Sequence, residues 1–514
     1  MTSSADRCNH TVKGLNNMAL RLKYAMNFEA IEPSYDLTMS IEELDAQMGD
    51  LRHFRDEGLF RDSDWQKSVR DILDFQHEDG SFGFVDPRHV PADARVDFVY
   101  RPSYACCQVL IKLVLEGGVD DTVIRSLSKG LEFCCKRRLF GHGFDGSRQQ
   151  IEDINDFVSC GTLELASSCP DVCPEFFALL NAIGTEYAER VRTCNVFDDF
   201  GEFLAVDTMQ VARALGHEEL LPLFVYGTLM TGMPNESLVS ESGYLGAATV
   251  SGFTLYDLGA YPSIRHTGAN GGESLVHGEI RLVDVDTLVA INRLEGEGAL
   301  YRAERVTARV AGREVPAIAY VYLHDINSKN EVPTVLQPYN RYVSVRDSLI
   351  WYVCYGSNML FERFMNYVRG GRCRFNERSY GGCGDTTPPL ASEPALLPYS
   401  VYFGNMSGSW DGSGVAFLDP AREGQSFARA YLITREQFEQ IHSAEGRGES
   451  WYPDALELGS RAGIPMVTFT NRCRRPENAP SGAYLEVMRS GLRETHFHED
   501  PEQLESYLRE IAST

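Results

Sequence analysis

Residues 36 to 218 carry apolar positions at the spacing of amphipathic helices, and from Leu221 onward the pattern shifts to short alternating runs broken by Gly, Asn and Asp. The first period predicts helices and the second half-buried strands. Helices are expected around Ser63–His77, Tyr104–Leu115, Thr122–Lys136, Ile151–Ser167, Cys173–Arg192 and Glu202–Leu215, with Ser40 and Glu43 spaced as a capping box. Strands are expected at Leu221–Val225, Ala247–Tyr256, His277–Val283, Glu304–Val310 and Val315–Leu323, with one helix at Val285–Leu294. The polar stretch His324–Asn340 reads as a linker or wrapping loop.

A second strand-rich region starts with the apolar run Leu349–Cys354. A Gly/Cys/Pro-rich insertion, 370 to 398, reads as a long loop, followed by strands at Ser400–Phe403, Gly414–Leu418 and Ala428–Ile433 and a helix at Arg435–Ala444. The last helix is expected at Pro501–Ile511, with Asp500 as N-cap and Pro501 in the first turn, where its missing N–H does no harm. The chain therefore divides into an extension over 1–35, a helical region over 36–218, and two small α+β, barrel-like domains over 221–345 and 349–514.

Length agrees: 514 residues exceed what one core organises. Hydrophobic residues at 43% and charged residues at 24% are those of an ordinary globular chain. A net charge of −25 argues against nucleic acid and against anionic membrane surfaces. No apolar run has the ~20 residues of a membrane span, and the start of the chain lacks a signal-peptide pattern, so a cytoplasmic location is expected. Nine of the 13 cysteines precede residue 200, including the pairs Cys106-Cys107 and Cys134-Cys135. Cys160, Cys169 and Cys173 lack paired zinc-site spacing, as do Cys373 and Cys383, so the reading is reduced, buried thiols and no metal. His496 and His498 read as part of a solvated segment.

Two strings 129 positions apart carry the chemistry. Tyr226-Gly227-Thr228-Leu229 and Tyr355-Gly356-Ser357-Asn358 each follow an apolar strand, and each breaks it at glycine. The backbone N–H groups freed at such a break can hold a carboxylate or a developing oxyanion. Downstream of each comes an acidic residue before glycine, Glu295-Gly296 and Glu445-Gly446. Glu439 and Glu449 flank Glu445 and compete with it for the same role.

With Gly252–Tyr256, Ala260–Ser263, Val276–Ile280, Leu300–Arg302 and Ala319–Tyr322 in order between and after the first pair, residues 221 to 345 resemble the gamma-glutamylcyclotransferase superfamily, closest to its gamma-glutamylamine cyclotransferase branch. The second region, through Tyr355–Met359, Phe361–Phe364, Tyr402–Asn405, Gly414–Pro420 and Trp451–Pro453, is similar to bacterial gamma-glutamylcyclotransferase-like proteins. The resemblance implies a small barrel-like fold, substrate gripped by Tyr226–Leu229 and by Tyr355–Asn358, and Glu295 and Glu445 as acid/base groups. It also implies a small-molecule or peptide gamma-glutamyl substrate and no cofactor.

In the helical region, Ile72–Phe84 lines up with Leu131–Cys134 and Leu139–Phe144, and the ending Gln76 through Gly83 resembles repeats of squalene-cyclase and prenyltransferase-like α/α toroids. A lipid-related activity there would need a wide apolar cavity.

Each motif also has a plain reading. Tyr226 and Tyr355 fit as core tyrosines at strand ends, Asn358 as a turn brace and Glu295 as a solvated turn residue. In that case the two small domains would form a binding scaffold without turnover.

Overall fold

The computed structural model describes residues 69–513 apart from 71, 84–85, 91–94, 96–98, 138–147, 268–273 and 498–499. The Ser40/Glu43 capping box, the extension over 1–35, the repeat partner Leu139–Phe144 and His498 lie outside the described residues. The described residues form two compact units. One comprises residues up to Leu221 with Val283–Val289, the other Pro222–Leu282 with Ala290–Thr514.

The first unit is helical: α1 (Arg101–Glu116), α2 (Asp121–Arg137), α3 (Arg148–Ser159), α4 (Thr162–Ser168), α5 (Pro174–Arg192) and α6 (Ala205–Ala214). The single helix expected over Ile151–Ser167 is two, because Gly161 takes φ +97°, which no right-handed helix accommodates. Ile72, Phe82, Leu110, Leu127, Leu131, Ile154, Phe157 and Phe176 pack a continuous core. Gln76 binds Ser126 of α2 twice: Nε2 donates to its carbonyl and Oε1 accepts from its hydroxyl, each at 2.8 Å. That amide ties the Gly80 turn to a helix 50 residues away. No helix among the described residues is long and apolar enough to cross a membrane.

The second unit holds two five-stranded sheets. The first is a closed barrel in the order β1-β5-β2-β6-β7, from β1 (Leu221–Val225), β2 (Gly243–Ser251), β5 (Leu275–Val283), β6 (Tyr301–Val310) and β7 (Arg313–Tyr322). The hairpin of β3 (Phe253–Asp257) and β4 (Pro262–His266) stands apart from it. Ala247–Tyr256, read as one strand, is thus two, turned at Gly252. The helix α7 (Val285–Glu295) follows β5.

The second sheet is ordered β11-β12-β8-β14-β13, from β8 (Leu349–Cys354), β11 (Ala391–Gly404), β12 (Val415–Thr434), β13 (Asp454–Arg461) and β14 (Ile464–Thr470). Its first strand, β8, runs parallel to β14 as β1 does to β7, and the remaining neighbours for which a register is defined are antiparallel. Read from the penultimate hairpin inward, β6-β7-β1-β5-β2 and β13-β14-β8-β12-β11 are the same order. In the second sheet β11 and β13 do not pair, so it stays open.

The expected loop over 370–398 is a correction. It contains the small hairpin of β9 (Gly371–Arg372) and β10 (Ser379–Tyr380), and β11 already begins at Ala391. Half-buried and exposed residues alternate from Ala391 to Leu396 before the buried Leu397, the stretch pairs with Ser426–Leu432, and Pro394 and Pro398 within β11 hid the strand. Helices α8 (Tyr339–Val345), α9 (Phe361–Arg369), α10 (Arg435–Glu445), α11 (Gly482–Thr495) and α12 (Pro501–Ala512) complete the unit. Asp500 caps α12 through the Gln503 N–H, as its position before proline implies.

The two sheet domains are joined by a buried carboxylate. Asp257 accepts from the Tyr339 hydroxyl and from Arg346, and the Tyr342 hydroxyl shares its one proton between Asp257 and the Ala462 carbonyl beyond β13. A buried charge is tolerated only when fully paired, and here three donors share it.

Candidate functional site

Both glutamates end a helix. In α10 the start is set by a capping box, Thr434 Oγ1 accepting the Gln437 N–H and Gln437 Oε1 accepting the Thr434 N–H, each at 3.1 Å. The stop is Gly446 at φ +106°, and α7 stops likewise at Gly296, φ +59°. With both ends pinned, Glu295 and Glu445 become the last helical residues of α7 and α10.

The first cavity, about 210 Å³, is lined by Tyr226, Gly227, Thr228 and Leu229 on one side and by Glu295, Tyr261, Tyr301 and Tyr320 on others. Thus the four loop residues and Glu295, 69 positions apart, meet at one depression. Gly227 has to be glycine: a Cβ there would stand 2.4 Å from Pro262 Cγ. The N–H groups of Gly227, Thr228 and Leu229 donate to no described residue. They are therefore free to bind an anionic oxygen. Thr228 Oγ1 is held by Asn235 Nδ2 at 3.0 Å.

The Tyr226 hydroxyl, by contrast, donates to the Tyr320 carbonyl on β7 at 2.6 Å. Its ring lines the cavity while its polar end locks the loop to the barrel. Among the described residues none donates a hydrogen bond to Glu295. Its carboxyl is lifted from 4.5 to about 7 by burial, and its place at a helix carboxyl end acts in the same sense.

The second cavity is larger, about 470 Å³, and is lined by Tyr355, Gly356, Ser357, Asn358 and Glu445 together with a ring of aromatic side chains. Gly356 is again a close approach, with Tyr484 Oη 2.8 Å from a would-be Cβ. The Tyr355 hydroxyl donates to the Phe469 carbonyl on β14 at 2.8 Å, the counterpart of Tyr226 on β7. Glu445 differs from Glu295: Asn358 Nδ2 donates to its Oε1 at 2.7 Å. The Asn358 Oδ1 atom is left buried and without a protein partner. Of the two rivals, Glu439 pairs with Arg447, and neither Glu439 nor Glu449 lines the cavity.

The family model described as "Gamma-glutamyl cyclotransferase, AIG2-like" matches residues 223–342. A protein of Vibrio cholerae named putative gamma-glutamylcyclotransferase is 38% identical over 104 residues, covering 20% of this chain and 80% of that protein. The chain belongs to the gamma-glutamylcyclotransferase family.

Histone deacetylase 5 of Arabidopsis thaliana is 28% identical over 204 residues, which cover 32% of this chain; the chain spans only 31% of that relative's length. Among solved structures, YkqA from Bacillus subtilis aligns over 57% of this chain and 98% of its own at 18% identity, with a TM-score of 0.24.

In the second cavity sequence reasoning missed Arg363, Tyr367 and Tyr380, which line it. A signal existed for the first. Arg363 shares the buried stripe of α9 with Phe364, Tyr367 and Val368, where a charge is out of place unless it has work to do. Tyr380 was hidden because its hairpin was read as loop. In the gamma-glutamylcyclotransferase-family domain, Asn235 and Tyr320 were likewise not singled out as site residues; they approach from the loop after β1 and from β7.

Proposed function

We propose that the domain over 221–345 is a cyclotransferase that releases 5-oxoproline and a free amine or amino acid from a gamma-glutamyl amide. The observation that carries this reading is the partly buried Glu295 carboxyl, raised to about 7, facing a loop with three unclaimed backbone N–H groups.

The substrate brings its own nucleophile. Its free α-amine attacks the side-chain carbonyl carbon, closing a five-membered ring as the amide C–N bond breaks. Intramolecular attack of this kind supplies several kcal/mol through proximity. What the protein must add is proton transfer. Ionised Glu295 takes a proton from the α-ammonium, leaving the amine nucleophilic, and delivers it to the departing nitrogen; the second proton that the ring nitrogen sheds on closure follows it, so the amine leaves as an ammonium. A carboxyl titrating near 7 suits both halves, because each form is populated at neutral pH. The N–H groups of Gly227, Thr228 and Leu229 would hold the α-carboxylate or the oxyanion. Neither water nor a cofactor enters the balance.

We extend the proposal to the domain over 349–514, with Tyr355, Gly356, Ser357 and Asn358 as its loop and Glu445 as its acid/base. The identical strand order and the glutamate ending the helix after the fourth-ordered strand support a second cyclotransferase-type fold. The test is release of 5-oxoproline from a panel of gamma-glutamyl amines and amino acids by wild type, Glu295→Gln and Glu445→Gln. Loss in one variant identifies the working cavity. No product from any substrate would overturn the reading in favour of a binding scaffold.

A further inference from the structure

The two cavities carry opposite charge. Among the described residues the only charged side chain lining the first is Glu295. The second is lined by Glu445 and two arginines, Arg363 and Arg378.

Arg363 is the unusual group. It is 2% exposed and makes no direct ion pair with a described residue; the Glu445 carboxylate acts on it only from beyond ion-pair distance, across Tyr367. Its Nη2 donates to the hydroxyls of Tyr380 at 2.7 Å and Tyr367 at 3.2 Å, but Nε and Nη1 have no partner. The guanidinium also lies over both rings, 4.7 Å from the Tyr367 centroid and 4.8 Å from that of Tyr380. A guanidinium stays protonated at any working pH, so burying it with open N–H groups costs stability unless something anionic satisfies them. Arg378, exposed at the rim, stacks on the same Tyr380 ring at 5.2 Å. The positive charge thus runs from the mouth of the cavity to its wall.

We propose that Arg363 is an anion-binding, specificity-determining residue, and that the second cavity selects gamma-glutamyl compounds whose leaving amine carries its own carboxylate, whereas the first takes uncharged, apolar leaving amines. This rests on the cyclotransferase reading. A gamma-glutamyl group has one α-carboxylate, and each cavity offers a glycine loop for it. A second carboxylate, present only when the leaving group is an amino acid or peptide end, is what matches a second anion site. In the first cavity the positions around Glu295 are Leu294, Leu300, Tyr261 and Pro262, which suit an alkyl chain and offer a carboxylate no cation. The tenancy is set by charge, and the size follows it: the cavity with the arginines is also the one with room for the extra group.

Gamma-glutamyl-alanine and gamma-glutamyl-ethylamide form a matched pair differing by that carboxylate. In Glu295→Gln, which leaves only the second cavity working, kcat/KM should favour gamma-glutamyl-alanine by about 10- to 100-fold, the worth of one charge-assisted hydrogen bond. In Glu445→Gln the preference should vanish or reverse. Arg363→Met should abolish the preference, and Arg363→Lys should restore part of it; Arg378→Ser, on the exposed rim, should lower it severalfold in low salt without affecting folding.

Calorimetric binding of the same two compounds to the full chain carrying both Glu295→Gln and Glu445→Gln separates the two claims. Turnover with equal kcat/KM for the pair overturns the Arg363 assignment and leaves the cyclotransferase intact. Binding to this variant that prefers gamma-glutamyl-alanine and is lost with Arg363→Met, when the wild-type chain releases no 5-oxoproline from either compound, supports the assignment and overturns the catalytic reading. No preference in either experiment overturns the assignment outright.

Discussion

The amide of Asn358 donates to Glu445 Oε1 at 2.7 Å, while the matching place in the first loop is Leu229, a buried hydrocarbon beside a glutamate that receives no hydrogen bond from any described residue. Glu295, without such a donor, is lifted to about 7 by burial. A hydrogen bond to the charged form lowers a carboxyl pKa, and burial without one raises it.

Leu229→Asn should therefore give Glu295 a donor. The acid limb of the kcat/KM profile of the first cavity, expected near pH 7, should move down by about one pH unit or more, as for a carboxylate gaining one charge-assisted bond. A pH–rate profile recorded in the Glu445→Gln background reads it. An unmoved limb would mean that Glu295 does not govern the profile.

Glu295→Gln should abolish turnover in the first cavity and change the pH dependence of stability. With a folded value of about 7 above the ordinary 4.5, the native carboxyl holds its proton when the unfolded chain has lost it. Its stabilising contribution is complete below 4.5 and is lost as pH rises through 7. Relative to wild type, the variant should gain ~3 kcal/mol between pH 4.5 and pH 8, measured by urea unfolding at each pH. A constant difference across that range would refute the shifted carboxyl.

Tyr226→Phe tests whether the loop tyrosine binds substrate or braces the barrel. Its hydroxyl is already committed to the Tyr320 carbonyl. Losing that buried donor should cost about 1–2 kcal/mol of stability. It should change kcat little, within about threefold, because no proton transfer depends on it. A large fall in kcat with unchanged thermal stability would return Tyr226 to the chemistry.

Gly227→Ala brings a methyl group to 2.4 Å from Pro262 Cγ, so the loop or the β3–β4 turn must shift. Overpacking of this sort costs about 1–3 kcal/mol. The sharper effect should be on KM or on kcat for the first cavity, since the N–H groups after Tyr226 move with the backbone. Unaltered kinetics in a destabilised protein would argue that those N–H groups do not touch the substrate.

Asn358→Ala removes the 2.7 Å hydrogen bond to Glu445 Oε1, leaving Tyr367 as its remaining partner, and opens space beside it. Turnover in the second cavity should fall by about 10- to 100-fold, the cost of a lost hydrogen bond to a charged group. The first cavity should be unaffected, which comparison in the Glu295→Gln and Glu445→Gln backgrounds will show.

The linear chain by itself settled what is local. Strand-then-glycine strings, the Asp500-Pro501 start of α12 and the glutamate-glycine pairs are all short-range chemistry, legible because each works within a few residues. It could not declare which strands close the barrel, because β1 pairs with β7 across 95 positions and only packing selects that partner (Leu223 with Ile318). Nor could it reveal that the Tyr226 and Tyr355 hydroxyls are spent on carbonyls of β7 and β14, or that Ala391 begins a strand inside a stretch dressed as loop. The charge of each cavity was decided at the same level. Arg363 reads as one cation among many until folding buries α9 against the sheet and removes the water that would have satisfied its open N–H groups.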